Sequence, residues 1–186
     1  MEFELSYENK DITRLDLLKI LLEKSINGMT AAQKFQIVTF NTHAKYIKGD
    51  ENTMFTANSE GKKEAIELIK TLQVGEGEDE LTNISGGLDL AYNINHKFER
   101  INMLTDGGPT VGVRDKDGMI AFIKNIIQKR VSKGFKKIPV NTKLLMLGGE
   151  ENEKFRALAR SFTKLISIKT GGIVKNYDSK YFTYNK

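Results

Sequence analysis

The sequence predicts an α/β fold with a doubly wound, mostly parallel central sheet, one antiparallel edge strand and helices on both faces. Short apolar segments rich in β-branched residues alternate with longer segments of helical period. This alternation is typical of parallel strands joined by helical crossovers. A tight turn joins one pair of candidate strands, which therefore pair antiparallel. Polar residues follow several predicted strands, where an open α/β sheet binds its ligands.

Each predicted element follows from its hydrophobic period. The helices carry leucine, isoleucine, alanine or phenylalanine at helical spacing, and they are residues 14–26, 60–73, 84–95, 116–131 and 152–166. The strands are short and apolar, and they are residues 3–6, 34–40, 44–48, 101–105, 138–147 and 173–175. We predict one domain over residues 1–176. A tail over residues 177–186 follows, packed on the domain or partly disordered.

The composition excludes several classes of function. The 186 residues include no cysteine and two histidines, which excludes disulfides, zinc–cysteine sites and cysteine nucleophiles. No apolar run reaches the roughly 18–20 residues of a membrane span, so we expect no membrane insertion of this segment. The net charge of +5 is spread over helix faces and turns. We interpret its lysines and Arg130 as a solvated surface, not a nucleic-acid site. Phe98 and Phe135 are candidate partner contacts.

Hydroxyl and carboxylate residues follow or flank the predicted strand ends. They are Asp106, Thr82, Ser6, Glu4 and Glu8. Oxygen ligands of this kind suit Mg²⁺, Mn²⁺ or Ca²⁺ and do not suit zinc or copper. If neutral hydroxyls supply most of the ligands, the ion keeps positive charge and open positions. An acidic side chain of a partner protein then completes the metal shell.

The same residues also have a purely structural interpretation. Asp106 then caps a loop, Thr82 or Asn83 caps the following helix, and the glutamates are solvated. Spacing alone leaves both interpretations open.

Five motifs in register resemble a von Willebrand factor type A (vWA) domain. They are Val38-Thr39-Phe40-Asn41, Leu81-Thr82-Asn83-Ile84, Thr105-Asp106-Gly107-Gly108-Pro109-Thr110, Val140-Asn141-Thr142 with Leu158-Ala159, and Thr170-Gly171-Gly172. The resemblance covers about residues 14–175. It implies a Rossmann-like fold and a metal-ion-dependent adhesion site at the top of the sheet. Such a site binds proteins and does not catalyse a reaction.

Two of the three parts of that site match the family. Thr82 matches the threonine of the second loop, and Asp106 matches the aspartate of the third. The first part, Asp-x-Ser-x-Ser, is absent, and its best match is Glu4-Leu5-Ser6-Tyr7-Glu8. Glu4 adds a methylene, while Glu8 is an anion that ligates the ion or takes the place of the partner's carboxylate. Alternatively, truncation or divergence has removed this turn, because a central strand that starts at residue 2 is unusually short.

The resemblance predicts a non-enzymatic protein-binding module, with or without a divalent ion. Its implied cofactor is Mg²⁺, with Mn²⁺ or Ca²⁺ as alternatives, and its implied partner contacts are Thr82, Asp106, Gly107 and Gly108. A second hypothesis is a regulatory or scaffolding domain with a vestigial metal site, acting with an ATPase or within a larger chain. A third is a small hydrolase with Asp106 as nucleophile or metal ligand, which lacks a clear general acid or base.

Overall fold

A computed structural model describes residues 13–73, 81–146 and 153–178. These residues form a mixed α/β fold with five helices and a three-stranded parallel sheet, which confirms the predicted class. The helices are α1 (Arg14–Asn27), α2 (Ser59–Lys70), α3 (Ile84–Asn93), α4 (Lys116–Ser132) and α5 (Glu153–Thr170). The strands are β1 (Lys34–Phe35), β2 (Val38–Phe40), β3 (Ala44–Tyr46), β4 (Phe55–Thr56), β5 (Ile101–Thr105), β6 (Val140–Met146) and β7 (Val174–Asp178).

The parallel sheet has the strand order β5-β6-β7. Ile101 pairs with Val140, and Thr142 pairs with Val174, so all three strands end at the same edge. α4 connects β5 to β6, and α5 connects β6 to β7. Because parallel strands end together, the loop after β5 lies at the carboxyl edge where ligands bind in α/β sheets.

The antiparallel part differs from the prediction in two respects. β2 pairs antiparallel with β3 as predicted, but among the described residues these strands form a separate two-stranded sheet and not an edge of the parallel sheet. The predicted strand 34–40 is also divided into β1 and β2. β1 pairs with β4, a strand that the sequence did not reveal. The break occurs because the Ile37 amide donates to the side-chain oxygen of Gln36 (2.8 Å), and the Gln36 amide group donates to the Thr53 carbonyl (2.8 Å). The predicted strand 3–6 lies outside the described residues.

Helices pack against both faces of the parallel sheet. Adjacent β5 residues point in opposite directions: Met103 joins a core with α3, α4 and α5, while Leu104 packs in a cluster with α1. The larger core contains Ile84, Leu88, Tyr92, Met119, Ile123, Ile126, Val140, Phe162 and Ile166. Packing on both faces buries the strands between helical layers.

Hydroxyl groups attach α5 to β6. The Ser167 hydroxyl donates to the Val140 carbonyl (2.9 Å), and the Val140 amide donates to the Thr170 hydroxyl (3.0 Å). Thr142 and Ser167 also share a hydrogen bond of 2.9 Å. α5 therefore continues to Thr170, four residues beyond its predicted end, because Ser167 and Thr170 are buried against the sheet.

The interpretation of Arg130 as part of a solvated surface is wrong. Only 2% of Arg130 is exposed. One guanidinium nitrogen donates to the carbonyls of Tyr92 (3.0 Å) and Ile94 (2.8 Å), and the other donates to that of His96 (2.7 Å). The side chain is buried because it lies on the inward face of α4. The other buried residues of that helix are Met119, Ile123 and Ile126.

Two aromatic rings cover the Arg130 guanidinium. Its central carbon lies 4.4 Å from the centroid of Phe98 and 4.5 Å from that of Phe135. Such contacts attract a cation electrostatically, most strongly when water is excluded. Burial lowers the pKa of Arg130. Phe98 and Phe135, candidate partner contacts by sequence, thus contact a residue of their own domain.

The C-terminal part of the described chain is a strand. β7 begins one residue later than predicted and includes Tyr177, the first residue of the predicted tail, which packs beside Leu145. Residues 179–186 lie outside the described residues, and the boundary at 176 stays a prediction. Within the described ranges, no helix combines the length and apolar character needed to cross a membrane.

Candidate functional site

The loop after β5 is held close to α5. The Thr105 hydroxyl donates to the Gly107 carbonyl (3.0 Å), which turns the chain sharply after Asp106. A Cβ on Gly107 would lie 2.8 Å from the ring of Phe155, so a side chain there would force this ring to move. Gly107 and Gly108 are buried. Half of the Asp106 side chain, 47%, is exposed beside them.

Asp106 forms an ion pair with Arg14, the first residue of α1. A guanidinium nitrogen of Arg14 lies 3.4 Å from a carboxylate oxygen of Asp106, and 40% of the Arg14 side chain is exposed. Thr13 fixes the start of α1, since its hydroxyl accepts from the Asp16 amide while the Asp16 carboxylate accepts from the Thr13 amide. The capped helix start thus brings a cation beside the carboxylate.

Asn83, not Thr82, caps α3. The Asn83 side-chain oxygen accepts from the Gly86 amide (2.8 Å), and its amide group donates to the Thr42 carbonyl (3.2 Å). The Asn83 backbone amide donates to the Asn41 carbonyl (2.7 Å). In the described part of the chain, the Thr82 hydroxyl makes no hydrogen bond. Of the two residues that the sequence offers as the cap of α3, Asn83 therefore caps the helix and the hydroxyl of Thr82 does not.

Backbone amides, carbonyls and side-chain hydroxyls form hydrogen bonds that join the start of α3 and the loop before it to the loop after β5. The Thr82 amide donates to the Thr110 hydroxyl (2.7 Å), and the Thr110 amide donates to the Thr82 carbonyl (3.0 Å). The Val113 amide donates to the Ser85 hydroxyl (3.1 Å). We call the edge formed by Thr82, Asn83, Asp106 and Thr110 the sheet top. Its two loops form one connected unit, so the positions of Thr82 and Asp106 are linked.

Replacing Asn83 with alanine is expected to lower the free energy of unfolding by about 2 kcal/mol, because a helix cap and a bond to the neighbouring turn are lost together. The melting temperature should fall by roughly 4–8 °C. Asn58→Ala is the matched control, because Asn58 caps α2 through one bond to the Gly61 amide. That variant should lose about 1 kcal/mol. Equal losses in thermal unfolding of the two variants would contradict a linking role for Asn83.

The structure places two of the predicted metal ligands at the sheet top. Thr82 and Asp106 lie on the linked loops, whereas Glu4, Ser6 and Glu8 lie outside the described residues. The described ranges contain no group of three or more histidine, aspartate or glutamate side chains that could hold an ion. A guanidinium 3.4 Å from the Asp106 carboxylate does not fit a divalent cation on that carboxylate, because the two positive charges repel each other. The predicted ion therefore has no complete ligand set among the described residues.

Sequence reasoning missed Arg14, and a signal for it was present. The first turn of a helix carries partial positive charge and favours acidic residues. A cation at this position is therefore unusual, although it does not identify the residue with which it pairs. Thr110 had no comparable signal, because its bond to Thr82 depends on the path of the loop.

Comparisons with known proteins identify the fold. No protein-family model matches the chain. Inter-alpha-trypsin inhibitor heavy chain H1 of Homo sapiens is 29% identical to it over 129 residues, which are 63% of this chain and 13% of that protein. The chain therefore spans a small part of this relative.

Two solved structures resemble the chain to different degrees. A von Willebrand factor type A protein from Catenulispora acidiphila superposes with a TM-score of 0.64 at 17% identity, over 88% of this chain and 34% of that one. An uncharacterized membrane-spanning protein from Vibrio fischeri reaches a TM-score of 0.38 at 19% identity, over 95% and 84%, which is too low to indicate a shared fold. This chain has the fold of a von Willebrand factor type A domain.

Proposed function

We propose that the chain is a non-enzymatic protein-binding module that contacts its partner at the sheet top, through Thr82 and Asp106. The observation that carries this proposal is the reciprocal pair of hydrogen bonds between Thr82 and Thr110. These bonds hold on one connected edge a half-exposed carboxylate and a hydroxyl that makes no hydrogen bond to the part of the chain that the structure describes. A preorganised edge loses little conformational entropy when a partner binds.

The finer topology that we infer is a doubly wound, Rossmann-like sheet. α1 on one face of the parallel strands and α3, α4 and α5 on the other support it. In such a sheet the binding crevice lies at the carboxyl ends of the strands. Asp106 follows the carboxyl end of β5.

The surroundings of Asp106 favour binding over catalysis. Its carboxylate is engaged in an ion pair with the Arg14 guanidinium, so an attack on a substrate would first have to break that pair. Gly107 and Gly108 remain predicted partner contacts, but α5 covers them. We assign them the role of letting the loop lie close to α5.

The metal set Ser6, Thr82, Asp106, Glu4 and Glu8 stays a prediction, as does the choice of Mg²⁺ over Mn²⁺ or Ca²⁺. The proposed binding module does not depend on it. If an ion is held, the matching partner group is an acidic side chain that completes its shell. In either case we expect a protein partner and no nucleic acid.

A photo-crosslinking residue at the sheet top tests the proposal. Leu81 is 42% exposed and precedes Thr82. With p-benzoylphenylalanine in place of Leu81, we expect irradiation in the native cell to link the chain to one discrete protein. Adding Asp106→Ala or Thr82→Ala should reduce this product about tenfold or more, since a lost charged hydrogen bond costs about 1.5–3 kcal/mol.

A matched control is Glu99→Ala, which removes an exposed carboxylate just before the opposite end of β5. It should leave the crosslinked product unchanged. A product that survives both Asp106→Ala and Thr82→Ala would refute binding through the sheet top.

The second candidate is a regulatory or scaffolding domain that makes its contacts through helix faces. A groove of about 360 Å³ between α1 and α2 favours it. Its lining includes Glu23, Asn27, Lys62, Lys63 and Ile66. A crosslinker at exposed Lys63 distinguishes the two candidates. If the discrete product forms from Lys63 and not from Leu81, the helix-face function replaces the sheet-top function.

A further inference from the structure

The start of α1 carries a cation where a helix disfavours one. Arg14 is the first residue of the helix, and the free amides of a first turn give it partial positive charge. Asp16 provides the usual acidic residue two positions later and is engaged in the capping box. The Arg14 side chain instead reaches Asp106, 92 residues away in sequence.

This cation competes directly with a metal ion. Among the described residues, Asp106 is the charged member of the predicted ligand set. The Arg14 guanidinium lies 3.4 Å from its carboxylate. A divalent ion on that carboxylate would lie near a fixed positive charge. Even with the screening of bulk water, repulsion at about 4 Å weakens ion binding on the order of tenfold or more.

We propose that Arg14 is the resident cation of the sheet top: its guanidinium neutralises and holds Asp106 in place of a divalent ion, so that the site binds its protein partner without metal. The inference rests on the proposed function of the sheet top. It differs from what the resemblance to metal-dependent sites implies, because the positive charge that balances Asp106 comes from the chain itself and not from a metal ion.

Paramagnetic Mn²⁺ added to the full 186-residue chain tests this inference without a partner. The readout is selective broadening of the Gly107 and Gly108 amide signals in a ¹⁵N-labelled sample. The unchanged chain should show none at millimolar Mn²⁺. Arg14→Gln should gain broadening, with Mn²⁺ bound at least about tenfold more tightly, because the competing charge is gone. Arg14→Lys retains the charge and should behave like the unchanged chain.

Two controls assign the effect to the ion pair. Arg160→Gln removes the same charge from an exposed pair with Glu153 and should not produce broadening. Adding Asp106→Asn to the Arg14→Gln variant should abolish the broadening that Arg14→Gln gains. The inference is overturned if the unchanged chain binds Mn²⁺ as tightly as Arg14→Gln, or if Arg14→Gln stays as unresponsive as the unchanged chain. Because Arg14 and Asp106 are half exposed, dispersed amide spectra of both variants can verify folding.

The crosslinking experiment separates this inference from the proposed function. With the Leu81 crosslinker in place, EDTA should leave the crosslinked product unchanged. Loss of the product in EDTA would overturn metal independence while leaving sheet-top binding intact. If Asp106→Ala removes the crosslinked product and EDTA leaves the product of the unchanged chain intact, the results support both the proposed function and this inference.

Discussion

Replacing Arg130 with methionine is expected to lower the free energy of unfolding by about 3–5 kcal/mol, which corresponds to a fall of roughly 10 °C in melting temperature. Arg130 donates to three carbonyls at and beyond the end of α3, including those of Tyr92 and Ile94. The last carbonyls of a helix need donors from elsewhere and carry partial negative charge. Methionine fills the space but supplies no donor. Urea unfolding measures the loss.

Lys129→Met is the matched control for Arg130→Met. Lys129 is the preceding residue on α4, its side chain is 52% exposed, and its nearest ion-pair contact is a distant 4.0 Å from Asp89. Loss of an exposed pair of this kind costs at most about 1 kcal/mol. If Arg130→Met were no less stable than Lys129→Met, the buried guanidinium would have no structural role.

Gly112→Ala is expected to cost about 3 kcal/mol and to separate the two loops of the sheet top. Gly112 has a φ of +73°, and a Cβ there would lie 2.5 Å from both the Asn83 side-chain oxygen and the Ser85 hydroxyl. The left-handed conformation costs an alanine about 1–2 kcal/mol, and the forced movement of neighbours adds a comparable amount. The Val113 amide, bonded to Ser85, should also exchange its hydrogen faster.

Gly134→Ala isolates the backbone part of this effect. Gly134 has a φ of +83°, but apart from its chain neighbours no atom of the described residues lies within 4 Å of the position of an added Cβ. We expect it to cost about 1 kcal/mol and to leave exchange at Val113 unchanged. Equal losses of stability in the two variants would mean that Gly112 is not needed to hold the loops together.

The helices could be predicted because their apolar residues recur at helical spacing, and this spacing arises from packing on one side. The same rule explains the error at Arg130. The charge of Arg130 predicts exposure, although the residue lies four positions after Ile126 on the inward face of α4. Burial of that charge depends on the carbonyls at the end of α3, which the periodicity of α4 does not describe.

Sheet pairing was predicted less completely than helix position. β4 has two residues and pairs with β1 across a long connection, so it has no periodic pattern of its own. The break of the predicted strand 34–40 depends on the side chain of Gln36, which bonds the next backbone amide. Local propensity does not report this kind of contact.

For the candidate site, residue type, position beside the predicted elements and the family resemblance predicted that Thr82 and Asp106 would lie close together, and the structure places them on linked loops. The binding role of these residues stays a prediction. The contacts that position them were not predictable in the same way. Arg14 and Asp106 are 92 residues apart, and the pairing of Thr82 with Thr110 depends on a loop path. Spacing along the chain does not predict contacts between residues so far apart in sequence.

The hydroxyl bonds between α5 and β6 restrict how this domain can change shape. Apolar side chains allow a helix to slide along its axis with little directional cost, but the bonds of Ser167 and Thr170 to Val140 each fit one register. A shift of one helical turn, about 5.4 Å, would break them together. These hydrogen bonds therefore hold α5 in one register against β6, and α5 lies close to Gly107 and Gly108 in that register.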